Sequence, residues 1–208
     1  CSMIEVPNPF PDDLTIGAQI GRGRRSIVYA GTWHGEAVVV KQYAAEAIAK
    51  YRQRYRVSIA QFEHDRNAAF AAVKPLRPFA ARPIAWSGGG HTGPEASGEY
   101  FVQQHIAGID LRELLNEHRR LPSEILEVID HVVETASRHG LYDIDMSPSN
   151  FRMVRDVEGW RPVLFDFNLM PQHLHAPNPL IALLYRTGLR HPAHRDRWML
   201  RRLRTWPD

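Results

Sequence analysis

The sequence predicts an α+β protein in two lobes, the first rich in strands and the second helical. Three observations carry this expectation. Short β-branched runs split by glycine turns fill Leu14 to Tyr43, the sequence form of β-hairpins. From Leu111 onward the apolar spacing is mostly helical. The change falls where strand-like Tyr100 to Ile106 is broken by Gly108, and strands followed by helices read as two units of different class. The expected division is 1–103 for the strand-rich lobe, 104–108 for a hinge and 109–208 for the helical lobe. A cleft between such lobes is a usual place for a ligand.

Taken in order, Leu14-Thr15-Ile16-Gly17 leads into a turn at Gly21-Arg22-Gly23-Arg24-Arg25-Ser26. Ile27 to Ala30 and Ala37 to Lys41 follow as strands on either side of a turn at His34-Gly35. Ala44 to Val73 reads as one long helix with Ile59, Phe62, Phe70 and Val73 inward, closed by Pro75 and Pro78. Ser87 to Gly98, rich in Gly, Ser and Thr, reads as a surface loop. Helices are expected over Leu111–Arg119 and Ser123–His139, the second with Ser123 as N-cap and Gly140 as its stop. Asp145 to Asn150 is a loop, and Phe151–Val154 pairs with Val163–Phe165 around Glu158-Gly159. The rest, through several prolines, is helical and basic.

The 208 residues have the apolar and charged fractions of an ordinary soluble globular protein. The net charge is only +3, but Arg186, Arg190, Arg195, Arg197, Arg201, Arg202 and Arg204 crowd the last stretch with His191 and His194. Such a cluster is a solvated face, or a contact for phosphates or an anionic membrane surface. Cys1 is the only cysteine, which excludes an internal disulfide and fits a reducing compartment. Met3 reads as the initiator, with Cys1 and Ser2 outside the fold. No run is long and apolar enough to span a bilayer, and no charged-then-apolar leader opens the chain. A cytoplasmic protein is expected, at most peripheral to the inner face of the membrane.

Four groups of residues suggest phosphate chemistry. Gly21-x-Gly23-x-x-Ser26-x-Val28 could cradle phosphates, since glycines let backbone N–H groups approach anionic oxygens. Alone, it reads better as a glycine turn in a hairpin. Lys41 emerges from an apolar strand, and Glu63 on the following helix could hold it extended as an ion pair, where Glu46 is too close in sequence to swing back. Asp143-Ile144-Asp145-Met146-Ser147-Pro148-Ser149-Asn150 places a proton acceptor, Asp145, and an oxygen ligand, Asn150, on one loop. Asp166 closes the apolar run Val163-Leu164-Phe165 and puts a carboxylate on a rigid support. Magnesium takes one or two such hard oxygens and fills the rest with phosphate and water.

In this order the motifs resemble the protein-kinase-like superfamily from about Ile16 to Asn168. The resemblance implies a bilobal kinase-like fold with a truncated helical C-lobe, and ATP and Mg2+ as cofactors. It implies Lys41 at the α/β-phosphates with Glu63 as its partner, Asp145 as catalytic base, and Asn150 and Asp166 as metal ligands. Phe101 to Leu111 looks like the hinge segment, with the backbone of Gln104 and Ile106 on adenine and Asp110 toward ribose. Val28 and Val39 would roof the base. There are departures from the family pattern. Asp143-Ile144-Asp145 lacks the usual histidine and arginine, Ser147 replaces a lysine, Asn168 replaces a glycine, and Arg152 stands where an apolar adenine floor is expected.

About forty residues follow Asp166 and contain no Ala-Pro-Glu, which suggests a reduced C-lobe. Reduced kinases of this kind resemble the lipopolysaccharide-core sugar kinases, the YrbL-like proteins and a group of small atypical kinases. The leading expectation is therefore γ-phosphoryl transfer to a hydroxyl on a saccharide or glycolipid. An atypical serine/threonine protein kinase and a regulatory pseudokinase are the alternatives. The ending Arg195 to Trp206 carries apolar Trp198, Leu200, Leu203 and Trp206 among arginines, a composition that could rest on an anionic membrane or pack a core. Nucleic acid is not expected as a partner.

Overall fold

The computed structural model describes residues 13–87, 98–118, 120–157 and 159–206. Cys1, Ser2, Met3, the interior of the 87–98 loop, Arg119 and Glu158 therefore lie outside the described residues. The chain divides into two units. One runs to Asp65 and adds Arg82–His105; the other comprises Arg66–Ala81 and everything from Ile106.

In the first unit, β1 (Leu14–Arg22), β2 (Ser26–Trp33) and β3 (Glu36–Tyr43) form an antiparallel meander. Next come α1 (Ala45–Tyr55), α2 (Ile59–Ala72, crossing into the second unit after Asp65), β4 (Pro83–Ser87) and β5 (Tyr100–Gln104). The sheet order is β1-β2-β3-β5-β4. The sequence reading held no strand at β4, whose leading proline is tolerated because β4 lies at the sheet edge. The single long helix expected over Ala44–Val73 is two helices. Arg56 adopts φ 58° and closes α1 with its N–H on Arg52 O at 3.1 Å, and an α-helix cannot continue through a left-handed residue.

Strand register assigns the two faces of this sheet. Leu14, Val38, Val40, Tyr100 and Val102 form an apolar cluster, each such burial stabilising by about 1.5–3 kcal/mol for an aliphatic side chain. Val28 pairs with Lys41, Val39 with Gln103 and Lys41 with Phe101. Side chains alternate along a strand, so Val28, Val39, Lys41 and Phe101 share the opposite face.

The second unit contains β6 (Ile109–Asp110), α3 (Leu111–His118), α4 (Ser123–Arg138), β7 (Phe151–Asp156), β8 (Gly159–Leu164), α5 (Pro179–Arg186) and α6 (His194–Arg204). Its small antiparallel sheet runs β6-β7-β8. Ile125, Ile129, Val132, Val133 and Ala136 line one side of α4 and enter a core shared with Leu200 and Leu203 of α6. Ser123 is not the N-cap of α4. Pro122 holds that position, and its carbonyl takes the N–H groups of Ile125 and Leu126. Gly140 does end the helix, at φ 74°, with Gly140 N on Ser137 O and Leu141 N on Ala136 O. Gly108 is required by close approach, because a Cβ there would sit 2.6 Å from Met153 O.

The basic C-terminal stretch is α6, and its apolar residues are split. Leu200 and Leu203 are buried and Trp206 packs against the core, while Trp198 is 45% exposed. Among the described residues no helix is long and apolar enough to cross a membrane.

Candidate active site

Lys41 lies near the end of β3 with 5% of its surface exposed, and its Nζ donates to Glu63 Oε1 on α2. Glu63 is buried as well and takes a second bond on Oε2 from the Tyr43 hydroxyl. Tyr43 is two residues beyond Lys41 and so on the same sheet face, which puts both donors before one carboxylate. Tyr43 was not singled out on sequence; its spacing of two from Lys41 was the available signal. Glu46, set aside on sequence, is exposed on α1. The helical pair is held to the sheet by buried Glu99, which accepts from Arg52 Nε at 2.9 Å, Ser58 Oγ at 2.8 Å and Ala60 N at 3.3 Å.

The glycine turn joins β1 to β2, with Gly23 N on Ser26 O at 2.8 Å. Neither Gly21 nor Gly23 has a positive φ, and a Cβ at either would make ordinary contacts, 3.6 Å to Val28 Cβ and 3.7 Å to Ser26 O. The protein's own packing does not demand glycine there. Gln104 N donates to Arg82 O at 2.9 Å, so that amide is already bonded within the sheet. Ile106 follows at the start of the second unit and is half-buried.

In the second unit, Asp143 and Asp145 both adopt left-handed φ, 55° and 64°. Aspartate is among the few non-glycine residues that visit this region readily, yet two in one loop need outside support. Asp196 of α6 supplies it: its carboxylate, buried to 3%, accepts from Asp143 N at 2.6 Å and Ile144 N at 2.9 Å. Arg66 adds bonds to the carbonyls of Tyr142 (2.9 Å) and Asp143 (3.2 Å). The Asp143 side chain takes Gln172 N at 2.7 Å and pairs with Arg195 at 2.9 Å, tying the loop to the segment after Asp166 and to α6. Asp143 thus acts as an acceptor that positions the loop. Asp196 was missed on sequence, although it is the only acidic residue in α6.

Asp145 is half-buried, and its Oδ1 accepts the Ser147 hydroxyl at 2.6 Å. Asn150 is buried; its Nδ2 donates to Asp145 O at 3.2 Å and its carbonyl takes Phe165 N at 3.0 Å. That last bond sets the chain entering Asp166, which is half-buried just past β8. Asn168 closes a local turn, Oδ1 on Met170 N and Nδ2 on Met170 O, work a glycine could not do. Asp110 accepts Arg112 N at 2.8 Å and so caps α3, a task that competes with ribose. The Arg152 guanidinium lies 5.6 Å from the Phe165 ring centre and 3.9 Å from Asp110.

Burial, opposed by two backbone amides and reinforced by the Asp143 carboxylate, pushes the Asp196 carboxyl up to about 7. Burial lowers Arg66 against the pull of Asp143 and Asp196, and burial with Arg66 lowers His173. Among the described residues no group of three or more His, Cys, Asp or Glu could hold a metal. Magnesium needs fewer protein ligands than that, and the oxygens of Asn150 and Asp166 suit it: Nδ2 of Asn150 donates to Asp145 O, so its Oδ1, which accepts the Ser149 hydroxyl at 3.4 Å, is the end that could ligate a cation.

The five-stranded sheet, the buried lysine–glutamate pair and the helical second unit define a protein-kinase-like fold. A crystal structure of Rad53 1–466 in complex with AMP-PNP matches with a TM-score of 0.53 at 16% identity, covering 76% of this chain and 39% of that one. The PknI kinase domain of Mycobacterium tuberculosis matches with a TM-score of 0.53 at 18% identity, covering 79% of this chain and 66% of that one. The chain thus spans less than two thirds of each, and at these identities the likeness speaks to the fold alone. No family model matches the chain.

Proposed function

We propose that the protein is an ATP- and magnesium-dependent phosphotransferase that moves a γ-phosphoryl group to an acceptor hydroxyl. The buried Lys41–Glu63 pair carries this reading. A buried ion pair adds little net stability, because desolvation of both charges offsets their attraction. Its position on the face that also carries Val28 and Val39 is that of a cation held for α/β-phosphates beside an apolar wall for adenine. The lack of a side chain at Gly21 and Gly23 lets backbone N–H groups approach phosphate oxygens.

Asp145 accepts the proton of the acceptor hydroxyl and orients it for in-line attack, its carboxylate held by the Ser147 hydroxyl. Asn150 and Asp166 are the metal-binding oxygens. When bound, magnesium neutralises charge on the phosphate oxygens. Asp145→Asn is expected to keep nucleotide affinity and lower turnover at least about a hundredfold, the lower end for a lost general base. Near-normal turnover in that variant removes Asp145 from the catalytic role.

For the acceptor, the resemblance to lipopolysaccharide-core sugar kinases favours a saccharide hydroxyl. The second reading is an atypical serine/threonine protein kinase acting on a protein hydroxyl. Incubation with labelled ATP separates them: intact-mass gain on the protein itself supports the second reading, label in saccharide alone the first.

A further inference from the structure

Beside the first turn of α6 lies a cavity of about 250 Å3 lined by Gln172, Arg190, His194, Arg195 and Trp198. Two of the residues that line it carry buried polar atoms with no partner. Arg190 Nε and Gln172 Oε1 are both buried, and neither has a hydrogen-bond partner. The Arg190 guanidinium is steadied over the Tyr185 ring at 5.5 Å, and the Arg190 N–H bonds Leu184 O at 2.9 Å. Arg195 is held by Asp143 yet keeps 40% of its side chain exposed. The lining residues include no carboxylate; the Asp143 carboxylate stands behind them, bonded to the Gln172 N–H and to Arg195. The His194 imidazole is lowered by burial and then by Arg190 and Arg201, the mark of a positive local field.

An unmet guanidinium N–H calls for an acceptor oxygen, and an unmet amide oxygen calls for a donor. A phosphate group near neutrality offers both, because its second pKa near 6 leaves part of the population with a P–OH beside anionic oxygens. Sulfate offers only acceptors. The volume is below the roughly 300–1,000 Å3 of pockets that enclose whole organic ligands, so one phosphate group fits better than a nucleotide. We propose that this cavity is a phosphate-binding site, taking inorganic phosphate or the phosphoryl group of a small monoester on Arg190 and Arg195, with its hydroxyl donated to Gln172 Oε1. The site does not rest on the phosphotransferase reading. It does touch the same loop, since Arg195 also anchors Asp143.

The test is an NMR titration of the full chain with inorganic phosphate, read at the His194 imidazole, whose signal is assigned by its loss in His194→Asn. Saturable binding that raises the His194 pKa is expected, with sulfate weaker than phosphate. Arg190→Gln should weaken binding at least about tenfold, the loss of one charge-assisted hydrogen bond. Gln172→Glu, which leaves the backbone bond to Asp143 in place, should weaken it similarly by repulsion. Lys41→Ala should leave the His194 response intact, which separates this site from the nucleotide residues. Glycerol 3-phosphate replacing phosphate at equal or better affinity assigns the source to a monoester; rejection of it assigns free phosphate. No His194 response to millimolar phosphate, or equal binding in both cavity variants, overturns the proposal.

Discussion

Glu63 accepts from two buried donors, and the cost of losing its charge is set by what is left behind. Glu63→Gln removes the carboxylate charge that faces the buried Lys41 ammonium, which should destabilise the fold by roughly 3–5 kcal/mol in urea denaturation. Lys41→Met combined with Glu63→Gln should recover much of that loss, because both buried charges of the pair are then gone. Additive losses in the double variant would mean that the two side chains are not coupled as the geometry requires. At the same scale, Asp143 and Asp145 explain why an aspartate can stand where the family has histidine. The position needs an acceptor for Gln172 N and a residue tolerant of left-handed φ, and aspartate meets both needs.

Helix α6 combines two tasks that its composition conceals. Its inward side is structural, so Leu203→Ala should cost about 2–5 kcal/mol, whereas exposed Trp198→Ala should change stability by no more than about 0.5 kcal/mol. A reversal in chemical denaturation would mean that the helix is turned the other way. Asp196, on the same helix, makes the loop anchor sensitive to pH. Its carboxyl moves from an ordinary 3.8 to about 7 on folding, so the folded chain holds a proton the unfolded chain has released. The stability it contributes is complete below the ordinary value, falls as the pH rises, and is lost above about 7. Melting temperatures of wild type and Asp196→Asn at about pH 5 and about pH 8 should therefore show the wild-type advantage shrinking at the higher pH. A difference that is the same at both would place the Asp196 titration outside this window.

For the whole molecule, nucleotide binding should appear as stabilisation of the folded state. Mg-ATP at a hundred times its dissociation constant is worth about 2.7 kcal/mol, a clear rise in melting temperature. The rise should be lost in Lys41→Ala and Asp166→Asn. A wild-type rise that both variants retain would leave the fold kinase-like and move the nucleotide away from these residues. The likeness to Rad53 and PknI bears on architecture, and this measurement bears on chemistry.

The local patterns were enough to read the strand meander, the stop at Gly140, the pairing of Lys41 with Glu63 and the α+β order of the chain. Each depends on neighbours along the chain or on a spacing that a strand or helix period makes visible. The break at Arg56, the edge strand β4 and the Asp196 anchor were not legible. Asp196 lies more than fifty residues from the amides it binds, and its sequence surroundings are those of a solvated basic helix. Nothing in a run of arginines tells which carboxylate will be buried. That is decided only when α6 packs Leu200 and Leu203 into the core and thereby brings Asp196 to the loop.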